Sequence, residues 1–330
     1  MQNLANKYRP ATFEDVVGQG SITQILQHQL STETTKNAYL FVGSQGTGKT
    51  TCARIFAKEI NKGQGNPIEM DAASNSGVED VRNIIQQAQK KSLDSEYKVF
   101  IIDECHSISN TGWQAFLKLI EEPPAKSIFI FCTTNPEKIP KTILSRVQRF
   151  NFQRIGQQEI VDRLKTICDL EFENKSYQWH DDSFEYIAKL SNGGMRDAIT
   201  MLDKCLDYNT QLTLENVITA LGVADYDTLF TLYNAINDKD QAKVITTLDS
   251  TYMSGKDMKI FVRTFLDFVM DLQKYYILKN YDYIAIPSTY TIEPRDNMKL
   301  LNALLDLINN IKWDSSPMSI IELTLLGVME

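Results

Sequence analysis

The chain of 330 residues exceeds the size at which one hydrophobic core keeps growing, so two or three domains are expected. Hydrophobic residues make up 43% and charged residues 23%, which is ordinary globular usage and excludes disorder as the default. The formal net charge of -8 excludes wholesale coating of nucleic acid, since phosphate contacts come mainly from clustered Lys and Arg. Any contact with DNA must therefore be local.

The chain has no run of eighteen apolar residues, and its first ten residues (MQNLANKYRP) lack the apolar segment of a secretory signal. We therefore expect a cytoplasmic protein with no membrane partner. The cysteines lie far apart, and none forms a CxxC pair suited to zinc or redox chemistry. We interpret all five, Cys52, Cys105, Cys132, Cys168 and Cys205, as buried or incidental thiols.

Short apolar runs alternate with longer helix-like stretches between residues 37 and 152. The expected strands are 38–42 (AYLFV), 67–70 (PIEM), 98–103 (KVFIID), 127–133 (SIFIFCT) and 147–152 (VQRFNF), and the expected helices are 50–60, 78–90 and 111–121. This order is typical of a parallel sheet covered by helices. The pattern predicts an α/β domain built on a parallel five-stranded sheet.

After Arg154 the strand-like runs end, and helical periodicity takes over. Amphipathic helices are expected over 157–172, 181–191, 196–206 and 213–221, followed by a mostly helical segment that only 281–294 interrupts with strand-like or irregular sequence. We predict three domains: an α/β domain over 1–153, a small helical domain over 154–222 and an all-helical domain over 223–330.

The segment GSQGTGKT, Gly43 to Thr50, has the spacing G-x-x-x-x-G-K-T that cradles a nucleoside triphosphate such as ATP. Its glycines let backbone N–H groups approach the phosphates without a Cβ in the way. Lys49 would reach the β and γ phosphates, and Thr50 would bind Mg²⁺ at the start of a helix whose dipole favours an anion. The predicted nucleotide-binding residues here are Gly43, Ser44, Gln45, Gly46, Thr47, Gly48, Lys49, Thr50 and Thr51. The alternative is a glycine-rich turn that matches by chance.

Two acidic residues, Asp103 and Glu104, end the strand-like run VFIID. At the end of a strand, Asp103 can hold Mg²⁺ and Glu104 can polarise an attacking water. An exposed acidic turn is the alternative interpretation. The neighbouring His106 is expected to be a structural or coupling residue, because three histidines are too few for a metal cluster.

Several segments together resemble one known family, the gamma/tau subunits of the bacterial DNA polymerase III clamp loader. They are KYRP (7–10), FEDVVGQ (13–19), GSQGTGKTTCARIFAK (43–58), DAASNSGVEDVR (71–82), DECHSIS (103–109), LIEEPP (119–124), CTTNPEKIPKTILSR (132–146) and GGMRDA (193–198). The match runs in order to about Leu221, and a weaker one follows at 300–326. The resemblance implies an AAA+ P-loop NTPase fold: a RecA-like domain, a helical lid and a helical collar.

The resemblance also implies roles for single residues. Thr134 corresponds to sensor 1, Arg146 to an arginine finger that reaches a neighbouring subunit's ATP, and Arg196 to sensor 2 on the lid. A surface ion pair is the alternative for either arginine. The residues that correspond to the adenine side of the pocket are Tyr8, Arg9, Pro10, Val16 and Val17, although ordinary N-terminal packing also explains them. The residues that correspond to a DNA-facing loop and helix start are Ser74, Asn75, Ser76, Gly77 and Arg82, for which a capped helix with a solvated arginine is the alternative.

The function implied is that of an ATPase subunit that opens a ring-shaped sliding clamp and loads it onto primed DNA, in a pentameric ring with delta-type and delta-prime-type subunits. Two departures from the family stand out. Residues 61–67 (NKGQGNP) form only a short turn where the family carries a zinc module, so no zinc is expected. Because the sequence ends just after the collar-like segment, we expect no tau extension, as would suit a streamlined or phage-encoded version.

Two other functions remain open at this stage. One is a non-hydrolysing scaffold subunit of the same loader, although such subunits typically have degraded P-loops. The other is a different AAA+ remodeller, such as a helicase loader or a branch-migration motor. A polymerase active site is not expected, because the acids belong to the nucleotide site and no second carboxylate set is evident.

Overall fold

The computed structural model describes residues 3–75, 77–90, 94–172, 178–209, 211–222, 226–281, 284, 286, 290–311 and 317–329. The chain divides into two compact units. The first comprises Met1–Ser176 and Ile187–Asp203, and the second comprises Tyr177–Tyr186 and Lys204–Glu330. None of the helices in the described part of the chain has the length and apolarity that crossing a membrane requires.

The first unit contains a five-stranded sheet in the order β2-β3-β4-β1-β5, in which every pair of neighbours is parallel. Its strands are β1 (Ala38–Val42), β2 (Ile68–Asp71), β3 (Lys98–Asp103), β4 (Ser127–Thr133) and β5 (Gln148–Asn151). The predicted parallel sheet is confirmed. The expected bounds were wrong by one residue at each end of β2 and β5, which are the two edge strands. Because the strands are parallel, the carboxyl ends of β1, β4 and β3 meet at one edge of the sheet.

Helices follow the strands as the alternating pattern predicts. Those of the first part of the chain are α1 (Leu4–Lys7), α2 (Gly20–Ser31), α3 (Lys49–Ile60), α4 (Val78–Gln89), α5 (Asn110–Glu121), α6 (Lys141–Leu144), α7 (Gln157–Phe172), α8 (Asp181–Leu190) and α9 (Met195–Tyr208). The expected bounds of the corresponding helices differ from these by one or two residues at some ends.

The strands β1, β3 and β4 are buried on both faces of the sheet, so each contains a continuous apolar run. On β1, Leu40 and Val42 pack into a core with side chains of α4 and α5, while Tyr39 and Phe41 pack into a second core with side chains of α2 and α3. β4 alternates in the same way, with Phe129 in the first of these cores. The two cores hold the carboxyl edge of the sheet rigidly in place for the segments that leave it.

The second unit is helical, apart from two short strands, β6 (Gln178–Trp179) and β7 (Gln211–Leu212), which pair in parallel. Its remaining helices are α10 (Leu214–Leu221), α11 (Tyr226–Asn237), α12 (Gln241–Met253), α13 (Met258–Leu278), α14 (Met298–Ile311) and α15 (Met318–Val328). The expectation that strands end after Arg154 was therefore wrong. A two-residue strand is too short to produce an alternating or apolar run that sequence periodicity can detect.

All five cysteines are buried free thiols, which confirms that interpretation. Burial raises the pKa of Cys52, of Cys168 and of Cys205 to about 12 in each case. Burial also raises the pKa of Cys132 well above its ordinary value. These thiols behave as small apolar side chains of the core.

Candidate nucleotide site

The segment from Gly43 to Gly48 joins β1 to α3 at the carboxyl edge of the sheet. Gly46 and Gly48 have φ angles of 73° and 100°, in the left-handed region where a Cβ is unfavourable. A Cβ on Gly43 would lie 2.7 Å from the carbonyl oxygen of Phe152, on the segment that follows β5. Glycine is thus required for loop conformation at two positions and for a close backbone approach at the third.

Lys49 begins α3 and is only 6% exposed. Its ammonium group donates hydrogen bonds to the carbonyl oxygens of Gly43, at 2.9 Å, and Ser44, at 2.7 Å. Burial lowers the pKa of Lys49, while the negative charges of Glu104 and Asp103 act against that shift. The buried ammonium of Lys49, at the start of a helix, is therefore well placed to bind phosphate oxygens.

Asp103 is the last residue of β3, and its carboxylate lies beside α3. The Thr50 hydroxyl donates to Asp103 Oδ2 at 2.7 Å. Hydroxyl and carboxylate oxygens are ligands that Mg²⁺ accepts. Two predicted metal ligands from distant parts of the chain are therefore adjacent. Among the residues that the structure describes, no group of three or more His, Cys, Asp and Glu side chains is placed to hold a metal ion.

Glu104 adopts a left-handed backbone conformation, with φ at 45°, directly after β3. Strain of this kind in a residue other than glycine is concentrated at functional sites. Its carboxylate accepts a hydrogen bond from Thr134 Oγ1 at 3.3 Å and lies 3.2 Å from His106 Nδ1. The same His106 nitrogen is 3.2 Å from Thr133 Oγ1. His106, which follows β3, and Thr134, which follows β4, thus both contact Oε2 of Glu104.

A cavity opens beside the loop, entirely within the first unit. It brings together residues predicted from four separate parts of the chain: Tyr8, Arg9, Pro10, Val16 and Val17; Gln45, Gly46, Thr47, Gly48, Lys49, Thr50 and Thr51; Asp103 and Glu104; and Arg196. Four of the predicted catalytic and nucleotide-binding residues do not line the cavity: Gly43, Ser44, Thr134 and Arg146. The cavity therefore has an N-terminal wall that combines apolar side chains with the charged Arg9, and a loop rich in donors.

Sequence reasoning missed six residues that also line this cavity: Ala5, Asp15, Ile155, Arg163, Met195 and Ile199. The Arg163 side chain donates a hydrogen bond to the carbonyl oxygen of Tyr8 at 3.1 Å. Ile155, Met195 and Ile199 lie in or beside helical patterns that predict only burial. Nothing in the sequence distinguishes an apolar residue facing a cavity from one facing a core.

Helix α9 begins against the phosphate loop. The Met195 N–H donates to the carbonyl oxygen of Gly46 at 3.0 Å, and a Cβ on Gly194 would lie 3.2 Å from the carbonyl oxygen of Gln45. Arg196 lines the cavity, and its side chain makes no ion pair within the described part of the chain. The predicted lid arginine is therefore next to the loop and available to a ligand.

Arg146 lies elsewhere, after α6. Its Nε is 2.8 Å from Glu121 Oε1, and its Nη1 donates to the carbonyl oxygen of Thr142 and to Ser145 Oγ. The Arg146 side chain is 40% exposed. The structure thus does not bring Arg146 to the cavity of its own chain, and an exposed position is one from which a neighbouring chain can be reached.

The predicted DNA-facing segment follows β2. Ser74 Oγ and the Asn75 backbone N–H both donate to Asp71, and the Gly77 N–H donates to Asp80 Oδ2 at 3.2 Å. Arg82 is exposed on α4, whereas Ser76 lies outside the described residues. One backbone donor at this helix start is already satisfied by Asp80, which a phosphate would have to displace.

The chain is similar to solved structures of RuvB from Thermotoga maritima, one of them described as a Holliday junction branch migration motor. One of these has a TM-score of 0.54 and 19% sequence identity, over 71% of this chain and 80% of that chain. Identity at that level shows the fold alone. Together with the phosphate loop and the Asp103–Glu104 pair, the fold places the chain among the AAA+ P-loop proteins.

The family model for the delta subunit of DNA polymerase III matches residues 67–156, and the model for domain III of the gamma and tau subunits matches residues 212–290. The tau subunit of Bacillus subtilis DNA polymerase III is 34% identical, over all of this chain and 63% of that protein, and the gamma/tau subunit of Mycoplasma genitalium is 32% identical, over 84% of this chain and 50% of that protein. Over the length that it shares with them, the chain belongs to the DNA polymerase III gamma/tau family. It spans less than two thirds of the length of either relative.

Proposed function

We propose that this chain is an ATPase subunit of a sliding-clamp loader, which uses ATP to open a ring-shaped clamp and load it onto primed DNA. One observation carries the proposal: Lys49, Thr50, Asp103 and Glu104 are all present and meet at the carboxyl edge of the sheet. Relatives named as DNA polymerase III subunits support the assignment to replication.

ATP with Mg²⁺ fits the site. The backbone of residues 43–48 would surround the phosphates, and Lys49 would exchange its two loop carbonyls for phosphate oxygens. The adjacent oxygens of Thr50 and Asp103, 2.7 Å apart, would hold the metal ion. When bound, Mg²⁺ would neutralise charge on the phosphates and orient them for in-line attack.

The base of the nucleotide would lie against the N-terminal wall of the cavity. Tyr8 and Pro10 offer flat or apolar surfaces, and Val16 and Val17 add branched apolar side chains. Arg163 fixes the carbonyl of Tyr8 and so helps to hold this wall. The apolar surfaces of this wall suit a planar ring, and Arg9 and Asp15 are its charged neighbours.

Glu104 would take a proton from, or polarise, the water that attacks the γ phosphate. Its carboxylate is held by Thr134 and His106, which limits its rotation without occupying the cavity. The Thr134 hydroxyl, directly after β4, would sense the γ phosphate. Arg196 would supply positive charge from α9, where the transition state spreads negative charge over the phosphate oxygens.

Arg146 would act on a neighbouring subunit's nucleotide. Its exposed position away from its own cavity supports an action in trans. In that arrangement an ATP site is complete only where two subunits of a ring meet. Assembly of the ring would therefore control ATP hydrolysis. We propose that this chain, built from a RecA-like domain (1–153), a lid (154–222) and a collar (223–330), joins delta-type and delta-prime-type subunits in a hetero-oligomeric, pentameric ring.

DNA would be held locally by the backbone and hydroxyl groups of residues 74–77 and by Arg82. A helix start and one cation suit a phosphate contact without sequence readout. The Asp80 carboxylate would have to leave the Gly77 N–H when a phosphate binds. This local contact is compatible with the net charge of -8.

Phosphate release by the complex of this chain with its loader partners tests the proposal. Wild-type chain should hydrolyse ATP, whereas Glu104→Gln should bind ATP and hydrolyse it at least about a hundredfold more slowly. A wild-type chain that binds ATP without releasing phosphate would instead be a scaffold subunit. Capture by an immobilised sliding clamp, compared with capture by a replicative helicase, separates a clamp loader from a helicase loader.

A further inference from the structure

Helix α2 is attached to the region of β5 by a buried glutamine near each of its ends. At the carboxyl-terminal end, Gln29 donates to Gln148 Oε1 at 2.9 Å and accepts from the Tyr39 hydroxyl at 3.0 Å. At the amino-terminal end, Gln19 is the residue that precedes the helix. Gln19 is 3% exposed and Gln29 is 8% exposed. The two side chains are alike in type and burial but lie at opposite ends of the same helix.

Gln19 uses both parts of its amide. Its Nε2 donates to the carbonyl oxygen of Gln153 at 2.8 Å and to that of Thr47 at 3.3 Å. Its Oε1 accepts from the Gln153 N–H at 3.2 Å. The first and third contacts pair the side chain with the backbone of the segment after β5, in the manner of a strand. The second contact ties that segment to the phosphate loop.

The three segments that Gln19 joins all contribute to the cavity. Val17 precedes Gln19 by two residues, Ile155 follows Gln153 by two residues, and Thr47 is part of the phosphate loop. Gln19 itself does not line the cavity. It can therefore act on a ligand only through the segments that it connects.

We propose that Gln19 is a positioning residue for nucleotide binding, which holds the base side of the cavity, at Val17 and Ile155, at a fixed distance from the phosphate loop. This role rests on the proposed ATP site, and it makes Gln19 a determinant of the affinity of that site for ATP. Only an amide satisfies the two carbonyl oxygens and the N–H at once, because a carboxylate lacks the donors and a methionine lacks strong donors and acceptors. A residue of any other type leaves buried backbone groups unpaired.

The test compares Gln19→Met with Gln29→Met, which removes an equally buried glutamine that makes no contact with the phosphate loop. Calorimetric titration with ATP and Mg²⁺ should show about tenfold weaker binding by Gln19→Met and unchanged binding by Gln29→Met. Thermal unfolding should show that both variants lose similar stability. At saturating ATP, turnover of Gln19→Met in the loader complex should stay within about twofold of wild type, because Gln19 contacts no reacting group.

Equal affinity for ATP in wild type and Gln19→Met would overturn the inference. So would an equal loss of affinity in both variants, since that would reflect general destabilisation. If the methionine variants fail to fold, Gln19→Asn and Gln29→Asn repeat the comparison with a smaller change, because each keeps the amide and shortens the side chain by one methylene. Failure of the wild-type chain to bind ATP would refute the proposed nucleotide site itself, an outcome distinct from any difference between variants.

Discussion

The side chain of Lys49 is held in place by hydrogen bonds to the phosphate loop. Its ammonium is buried and hydrogen-bonded to two carbonyl oxygens of that loop, so a triphosphate has to offer better acceptors than these. A phosphate group is anionic and a carbonyl oxygen is not, so the ammonium gains ion-pair attraction from a phosphate in addition to its hydrogen bonds. The exchange of partners favours phosphate binding.

Lys49→Ala should therefore weaken binding of ATP with Mg²⁺ by about 10- to 100-fold, because one buried charge-assisted contact is worth roughly 1.5–3 kcal/mol. Calorimetry measures the change directly. Lys58→Ala is the matched control, since Lys58 is exposed in the last turn of the same helix. Equal ATP affinity in Lys49→Ala and wild type would refute the phosphate-cradle interpretation.

Arg146 and Arg149 are close in sequence, and both are exposed. Arg149 Nε donates to Asn151 within β5, while Arg146 extends from the end of α6 beside Glu121. Arg146→Ala should leave ATP binding within about twofold of wild type and lower clamp- and DNA-stimulated phosphate release by about a thousandfold, the usual contribution of an arginine finger. Arg149→Ala should change neither quantity.

Mixing experiments show on which chain Arg146 acts. Lys49→Ala chains retain the arginine, and Arg146→Ala chains retain the phosphate site. Loader complexes that contain both variants should recover part of the hydrolysis that each variant lacks alone, because one chain supplies the nucleotide and the other the cation. Normal stimulated turnover in complexes of Arg146→Ala alone would rule out the finger assignment.

At the scale of elements, the junction of β1, the phosphate loop and the segment after β5 is tightly packed. A Cβ at residue 43 would lie 2.7 Å from a backbone oxygen, which cannot rotate away as a side chain can. Gly43→Ala should lower the free energy of unfolding by about 1–3 kcal/mol and shift the loop, and so weaken ATP binding. Urea denaturation and ATP titration measure the two effects.

Gly20→Ala is the control for this substitution. Gly20 begins α2, is exposed, and has no atom within 4 Å of the position where a Cβ would lie. Its replacement should change the free energy of unfolding by less than about 1 kcal/mol. Equal stability in Gly43→Ala and Gly20→Ala would contradict the close approach of the loop to the segment after β5.

Sequence periodicity predicts the larger elements because burial determines both pattern and structure. The continuously apolar runs of β1, β3 and β4 follow from a sheet covered on both faces. The strands β6 and β7 escaped prediction because each has only two residues, and pairing between segments 178–179 and 211–212 depends on long-range packing that no local pattern encodes. Helix ends shift by a residue or two, since capping decides them.

The candidate site was predictable where a motif has a fixed spacing, as from Gly43 to Thr50. It was not predictable for Gln19 or Arg163, whose contacts join residues 28 to 155 positions apart in sequence. Such contacts arise from the packed arrangement of helices on the sheet. The partner of Arg146 within this chain, Glu121, also became evident only from the structure.

At the scale of the whole molecule, the cysteines report on both compact units. Cys52, Cys105, Cys132 and Cys168 belong to the first unit and Cys205 to the second, and all are buried. Burial raises the pKa of each thiol, so little reactive thiolate exists near pH 8. Ellman's reagent at pH 8 should react with none of the five within minutes in the folded chain, and with all five in guanidinium chloride.

If the two units unfold independently, the thiols should become reactive in two steps as the denaturant concentration increases. One step should expose the single thiol of the second unit, and the other should expose the four thiols of the first. A thiol that reacts within seconds in the folded protein would contradict the described burial. In the proposed loader complex every thiol should react more slowly than in the isolated chain, because partners that bind the folded state stabilise it.

The proposed coupling of ATP hydrolysis to clamp loading can be measured as the rate of phosphate release by the assembled loader. The rate should rise at least several-fold when sliding clamp and primed DNA are added together, and it should not rise as far with a four-way DNA junction. A rate that clamp and primed DNA leave unchanged, or that the four-way junction raises equally, would contradict the account.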